Sequence, residues 1–251
     1  MKTRELGICS WALLGLLSGA LSGIFGVVAD AAETRTETIS VTADRPLYAF
    51  TLELKKRHPV AVTYEEVPPR APSAAEKAGQ WAAPGALVVE FRVSPLTGIP
   101  EDMAAVLKDA IAAHERTVGD VRSKVIEDDG TFHIVPDMVR NARGSWDKII
   151  PLLDTPIALP AQEMEVGDVL RAIRDALQRD AGAKVILAEV PVNWAINTKV
   201  RLSGRTESAR EALGEALAGG RFTWQLLYDV KLKAYVFRMQ PLFAGGTSPR
   251  R

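Results

Sequence analysis

The chain has 251 residues, a formal net charge of +0 at pH 7 and a hydrophobic fraction of 47%. This composition is that of a globular protein with enough apolar residues for a core. The balanced charge predicts no attraction to nucleic acid or to an anionic membrane surface. The single cysteine, Cys9, excludes an internal disulfide framework and a thiolate metal site.

The N-terminus has the pattern of a bacterial secretory signal peptide. Lys2 and Arg4 precede an apolar run over residues 11–28, which ends in small residues at 29–32. We therefore expect residues 1–31 to be a signal peptide and the mature protein to be periplasmic or secreted. The alternative is an uncleaved membrane anchor, because about 18 apolar residues lie at the lower limit for spanning a bilayer. Cleavage would leave a chain without an integral membrane span.

The next segment, residues 36–140, predicts one small α+β unit. We expect a strand at 38–42, a helix that Asp44 caps, strands at 60–64 and 87–93, a helix over 103–111, and strands at 121–126 and 132–135. Asp128-Asp129-Gly130 is a strong signal for the hairpin turn between the last two strands. A stretch rich in Pro and Ala, 68–85, interrupts the unit as a long loop of the kind that is often mobile or functional.

The last segment, residues 156–242, predicts the same order of elements. We expect strands at 156–159, 184–188 and 199–202, helices over 166–177 and from Thr206 to 219–220, and a hairpin of strands 222–228 and 234–239. Residues 141–155 are then a connector and 243–251 a flexible tail. The predicted fold class is α+β, with two tandem βαββαββ units, each a small mixed sheet packed by two helices.

The two halves also align with each other as sequences. Residues 59–67 lie over 182–190, and residues 101–113 lie over 207–219. The two offsets differ by the length of the long loop. Because repeated self-similarity indicates repeated structural units, we interpret the chain as an internal duplication.

On these residues the chain resembles the secretin and TonB short N-terminal domain, in two tandem copies. The resemblance is carried by the element order, by ISVTADRPLYAFTLELKKRHPVAVTYEEVPP at 39–69 and by residues 156–239. That family has a βαββαββ unit, found at the periplasmic end of secretins and in some TonB-dependent receptors. The resemblance implies a protein-interaction role in the cell envelope, with an envelope protein as partner. No secretin pore or receptor barrel follows in this sequence.

The sequence contains no residue pattern that indicates a catalytic, cofactor-binding or metal-binding site. His58, His114 and His133 lack the spacing of metal ligands, and no GxSxG elbow, P-loop or GxGxxG is present. Glu65 and Glu66 are adjacent, so their side chains should point to opposite faces of a strand that we expect at a sheet edge. We therefore predict a protein that is not an enzyme and needs no cofactor. The alternatives are an envelope enzyme of unknown type, or a binder of a small ligand or peptidoglycan in the cleft between the units.

Three tryptophans have distinct predicted places. Trp224 alternates with apolar neighbours and is expected in the core, whereas Trp146 lies in the connector and is expected to pack between the two units. Trp81 lies in the long loop, where we expect it to be exposed to a partner.

Export can be tested directly on the mature protein. We expect its N-terminal sequence to begin at Ala32, because signal peptidase accepts the small residues Ala29 and Ala31 before the cleaved bond. Edman sequencing or mass spectrometry of the protein from the producing bacterium measures this. Recovery of intact Met1 on a membrane-bound form would establish the anchor instead.

Overall fold

Helices and strands alternate along the chain in the α+β pattern that the sequence predicts. The computed structural model describes residues 35–69, 86–117, 119–218 and 222–242. The predicted signal peptide at 1–31, most of the loop at 68–85 and the tail at 243–251 lie outside these residues.

The first half has the elements predicted for it. In chain order they are β1 (Arg35–Val41), α1 (Pro46–Arg57), β2 (Ala61–Glu65), β3 (Leu87–Val93), α2 (Met103–Thr117), β4 (Val121–Asp128) and β5 (Thr131–Arg140). The turn between β4 and β5 has positive φ at Asp129 (44°) and Gly130 (73°), as a two-residue hairpin requires. The Asp-Gly turn signal is thereby confirmed.

The connector and the second half contain more elements than predicted. In chain order they are β6 (Trp146–Lys148), a 3-10 helix (Leu152–Asp154), β7 (Pro156–Ala158), β8 (Glu163–Glu165), α3 (Val166–Asp180), β9 (Val185–Glu189), α4 (Val192–Asn197), β10 (Lys199–Arg201), β11 (Thr206–Ser208), α5 (Ala209–Leu217), β12 (Phe222–Asp229) and β13 (Ala234–Pro241).

Strand pairing follows one scheme in both halves. β1 pairs antiparallel with β3, as β7 does with β11. β2 lies parallel to β5 of the hairpin β4–β5, and β9 lies parallel to β13 of the hairpin β12–β13. The strand expected at 199–202, in contrast, is β10, which pairs with β8. Because β11 pairs with β7 in the way that β3 pairs with β1, β11 is the counterpart of β3 in the second half.

A single sheet runs through both halves. Its strand order is β4-β5-β2-β12-β13-β9, with β6 also paired to β5, and the halves meet where β2 lies parallel to β12. The strands of the halves do not interleave, and tertiary contacts group residues 33–251 into one unit. The expectation of a separate small mixed sheet in each half is therefore wrong, because β2 of the first half pairs with β12 of the second.

The two hydrophobic cores lie on opposite faces of this sheet. Tyr64 of β2 and Leu227 of β12 belong to the core that α1 and α2 cover, whereas Trp224 and Leu226 of β12 belong to the core under α3 and α5. Successive residues of a strand point to opposite faces. Each half therefore covers a different face of the common sheet.

Helix α5 begins two residues later than the sequence analysis predicts. Ser208, not Thr206, is its N-cap: the Ser208 hydroxyl accepts the Glu211 N–H at 3.2 Å, and the Glu211 carboxylate accepts the Ser208 N–H at 2.8 Å. Thr206 instead pairs with Ala158 in β11. The predicted cap of α1 is also wrong, because Arg45 holds that position without a side-chain cap.

This capping box supports a stability prediction. Ser208→Ala should lower the free energy of unfolding by about 1 kcal/mol, because it leaves an N–H of the first turn of α5 without its acceptor. Urea denaturation measures the change. The matched control is Thr206→Ala, which should have a smaller effect. Equal losses for the two variants would show that the helix does not depend on the Ser208 cap.

Candidate functional site

The junction between the halves is a short parallel ladder between β2 and β12. Tyr64 pairs with Gln225 and Glu65 with Leu226, and the Glu66 N–H donates to the Leu226 carbonyl at 2.8 Å. β2 is therefore an interior strand. The expectation that Glu65 and Glu66 end an edge strand is wrong.

Glu65 ties this junction to the second half and to the connector. Its carboxylate accepts a hydrogen bond from Arg210 Nη2 at 2.7 Å and from the Leu153 N–H at 3.1 Å. The Glu65 side chain is fully buried, and Arg210 also binds Asp154 at 2.9 Å. Burial raises the pKa of Glu65, although Arg210 and the Leu153 N–H act in the opposite direction. Three segments that are distant in sequence meet on this one carboxylate.

A buried aromatic and polar layer extends from this ion pair. The Arg210 guanidinium lies 5.9 Å from the centre of the Trp224 ring, within cation–π range. Trp224 stacks on His133 at 5.8 Å, and the His133 Nδ1 lies 2.7 Å from the Thr63 hydroxyl. Burial, assisted by the charge of Arg210, lowers the pKa of His133 to about 4. His133 is therefore a neutral, hydrogen-bonded part of the interior at neutral pH.

Glu66 also stabilises the junction between the halves, through contacts with Tyr228 and Arg45. Its carboxylate accepts the Tyr228 N–H at 2.8 Å and forms an ion pair with Arg45 at 3.1 Å. Arg45 in turn donates to the Tyr228 carbonyl at 2.7 Å. Burial raises the pKa of Glu66. The two adjacent glutamates thus bind two different arginines. Glu65 binds Arg210 at the start of α5, and Glu66 binds Arg45 just before α1.

Helix α1 of the first half also reaches over the terminal hairpin of the second half. Lys55 donates to the Gln240 side-chain oxygen at 2.7 Å and to the Thr223 hydroxyl at 3.1 Å. Gln225 donates to the same Gln240 oxygen at 3.1 Å. Burial lowers the pKa of Lys55 to about 8.

A cleft of about 350 Å³ lies beside Lys55, between the end of α1 and the end of β13. Its lining is mostly apolar and comes from both halves: Leu52, Pro59, Val60, Pro241 and Leu242, with Lys55, Lys56, His58 and Gln240 as the polar members. Such a cleft suits a small ligand with an apolar body.

The three histidines have separate environments. His58 follows α1, where its Nδ1 lies 2.7 Å from the Gly98 carbonyl and its Nε2 lies 3.4 Å from Glu37. His114 lies in α2, where burial lowers its pKa. Within the described ranges, no group of three or more His, Cys, Asp or Glu side chains is arranged to hold a metal ion.

The tryptophans divide between core and surface. Trp224 is 4% exposed, which confirms its predicted place in the core. The guanidinium groups of Arg122 and Arg140 lie 4.2 Å and 5.1 Å from the centre of the Trp146 ring, so Trp146 packs on strands of the first half and not between the halves. Trp81 lies outside the described residues.

Sequence reasoning missed Arg210, although a signal for it was present. Arg210 precedes Leu213 and Leu217 by three and seven residues, so it occupies the apolar stripe of α5. A charged residue in an apolar stripe needs a buried partner. The sequence offered no means of choosing that partner.

Comparisons with known proteins do not extend this description. The chain matches no family model, no curated protein and no solved structure. In the described part of the chain, no helix has the length and apolar character needed to cross a membrane. The function must therefore be inferred from the geometry of the molecule itself.

The Glu65–Arg210 pair generates a stability prediction. Arg210→Ala should lower the free energy of unfolding by about 3–5 kcal/mol, because it leaves a buried carboxylate without its cation. The double variant Glu65→Gln, Arg210→Ala should lose less than the sum of the losses in Glu65→Gln and Arg210→Ala, because no uncompensated carboxylate remains at position 65. Urea denaturation of all three variants measures the coupling.

The control is an exposed ion pair on α3. Arg171→Ala removes the partner of Asp168 at the surface and should leave the denaturation midpoint nearly unchanged. Strictly additive losses at positions 65 and 210 would contradict the assignment of this pair as the tie between the halves.

Proposed function

We propose that the chain is a non-catalytic protein-interaction module of the bacterial cell envelope. In this proposal, residues 1–31 direct export and the mature protein acts like the secretin and TonB short N-terminal domain that the sequence resembles. The pairing scheme common to both halves supports the proposal, because the first half has the βαββαββ order of that family and the second half has this order with β8, α4 and β10 inserted. The ties at Glu65, Glu66 and Lys55 support a fixed arrangement of the halves in such a module.

The observation that carries the proposal is the end of the sheet at β9. The Tyr235 N–H donates to the Lys184 carbonyl at 2.8 Å, so the backbone groups of Val185 and Leu187 point away from β13. Among the described residues, no strand pairs with this edge. An edge of this kind offers hydrogen bonds to an added strand.

Exposed aliphatic side chains follow this edge directly. Val192 and Ile196 of α4 are 67% and 48% exposed and lie one helical turn apart on the same face. Backbone pairing gives affinity to strand addition, and neighbouring apolar contacts give it specificity. The occupant that we propose is an extended segment of an envelope protein that carries aliphatic side chains.

Site-specific cross-linking in the producing bacterium tests this site. A photoreactive residue at Ala188, which is exposed on β9, should capture the envelope partner. The double variant Val192→Lys, Ile196→Lys should reduce capture at least about tenfold, because two aliphatic contacts of about 1.5 kcal/mol or more would be lost. Thermal denaturation should show that the variant still folds, since both side chains are exposed.

A matched control is available on the first half. Leu96 is 89% exposed, so Leu96→Lys makes the same chemical change at a separate surface and should leave capture from Ala188 unchanged. Capture that survives in the α4 double variant, or that Leu96→Lys reduces equally, would overturn the β9 site.

A second candidate function is the binding of a small ligand in the cleft between the halves. The cleft of about 350 Å³ and the amine of Lys55 beside it favour a ligand with an apolar body and an anionic group. Lys55→Met separates the two candidates. It removes the amine that would bind the anionic group of the ligand, together with the hydrogen bonds from Lys55 to Thr223 and Gln240. If the chain acts through the β9 edge, capture from Ala188 should stay intact in this variant.

The proposal also includes a predicted role for the long loop at residues 68–85. Most of residues 68–85, with Trp81, lies outside the described part of the chain. We propose that the loop adds to partner capture, because loops that are free of core packing often carry binding function.

A further inference from the structure

The opposite end of the sheet is β4, which pairs on one side with β5. The Arg140 N–H donates to the Asp120 carbonyl at 2.9 Å, and the two-residue turn makes Asp128 and Thr131 a hydrogen-bonded pair. The backbone groups of the even-numbered residues of β4 therefore face β5. The register shift near Ser123 adds its extra residue to β5, so this alternation runs through β4 without interruption.

The odd-numbered residues of β4 consequently direct their backbone groups away from the sheet. These residues are Val121, Ser123, Val125 and Glu127, and within the described residues no strand pairs with them on that side. Their N–H and C=O groups form an open antiparallel edge in a strand of eight residues. An edge of this length is a template for another strand unless side chains prevent pairing.

The charges along β4 change sign at Val125. Arg122 and Lys124 precede it, and Glu127 and Asp128 follow it. A parallel copy of the strand would bring like charges together at every one of these positions, which is unfavourable. In an antiparallel copy with Val125 opposite Val125, Arg122 lies opposite Asp128 of the second copy. Asp128 likewise lies opposite Arg122 of the second copy.

We infer that β4 is a self-association edge, through which two copies of the protein pair their β4 strands antiparallel about a twofold axis at Val125. The charge pattern argues for a second copy as the occupant, because Arg122 and Asp128 lie equally far from Val125 and therefore pair reciprocally with Asp128 and Arg122 of that copy. In the single chain the Arg122 guanidinium lies 4.2 Å from the ring of Trp146 on β6, on the far side of β5, so pairing with Asp128 of the second copy replaces this contact. Arg122 and Asp128 are both exposed, so they are accessible to the second copy. The association uses the end of the sheet opposite to β9 and does not depend on the proposed function.

Sedimentation of the purified mature protein over a range of concentrations tests the inference. We expect a concentration-dependent dimer whose dissociation constant rises at least tenfold in Glu127→Pro. Proline at this position removes an N–H that points away from β5, so the monomer loses no hydrogen bond of its own ladder. Glu127→Ala is the matched control and should still dimerise, because its N–H remains.

Charge reversal provides a second measurement that does not involve proline. Arg122→Glu and Asp128→Arg should each weaken the dimer several-fold, and the double variant should restore it, because the opposite charges are then exchanged. Val192→Lys, Ile196→Lys at the other end of the sheet should leave dimerisation unchanged. A protein that stays monomeric up to about 0.5 mM, or a dimer that neither Glu127→Pro nor the charge reversals weaken, would overturn the inference.

Discussion

The junction of the two halves depends on one buried ion pair, between Glu65 of β2 and Arg210 of α5. The β2–β12 ladder that it accompanies has only two paired positions, Tyr64 with Gln225 and Glu65 with Leu226. A ladder this short specifies its register weakly by itself. A buried carboxylate is strongly unfavourable without its cation and its N–H donor, so only one placement of β12 against β2 satisfies it. The ion pair therefore fixes the register of β12 against β2, which the short ladder by itself specifies only weakly.

The arrangement of the whole molecule follows from this junction. Because β2 and β12 are neighbours in one sheet, the helices of the first half cover one face and those of the second half cover the other. The sheet then ends in β4 on one side and β9 on the other. Each half contributes one open edge, and the two edges lie at opposite ends of the same sheet. The partner site that we propose at β9 is therefore separate from the self-association edge that we infer at β4.

The buried polar groups of the molecule concentrate where the halves meet. Glu65, Glu66, His133 and Lys55 all have pKa values that burial shifts toward the neutral form. Strongly shifted groups occur at catalytic sites and also in structural networks. Here the side chains of Glu65, Glu66 and Lys55 form hydrogen bonds with the other half, and His133 stacks on Trp224 of the other half. Burial where the halves meet therefore accounts for these four shifted pKa values. Of the four residues, only Lys55 also lines the cleft of about 350 Å³.

The sequence by itself determined what depends on local periodicity and turn chemistry: the α+β class, the order of strands and helices in the first half, the hairpin at Asp129-Gly130 and the core position of Trp224. It also contained the Ser208–Glu211 capping box, although the earlier Thr206 competed as a cap. Only the tertiary structure decided that β2 is interior and that Glu65 meets Arg210, which lies 145 residues away. Alternation along a strand shows which side chains share a face, but neighbouring strands are chosen by long-range packing that no local pattern encodes.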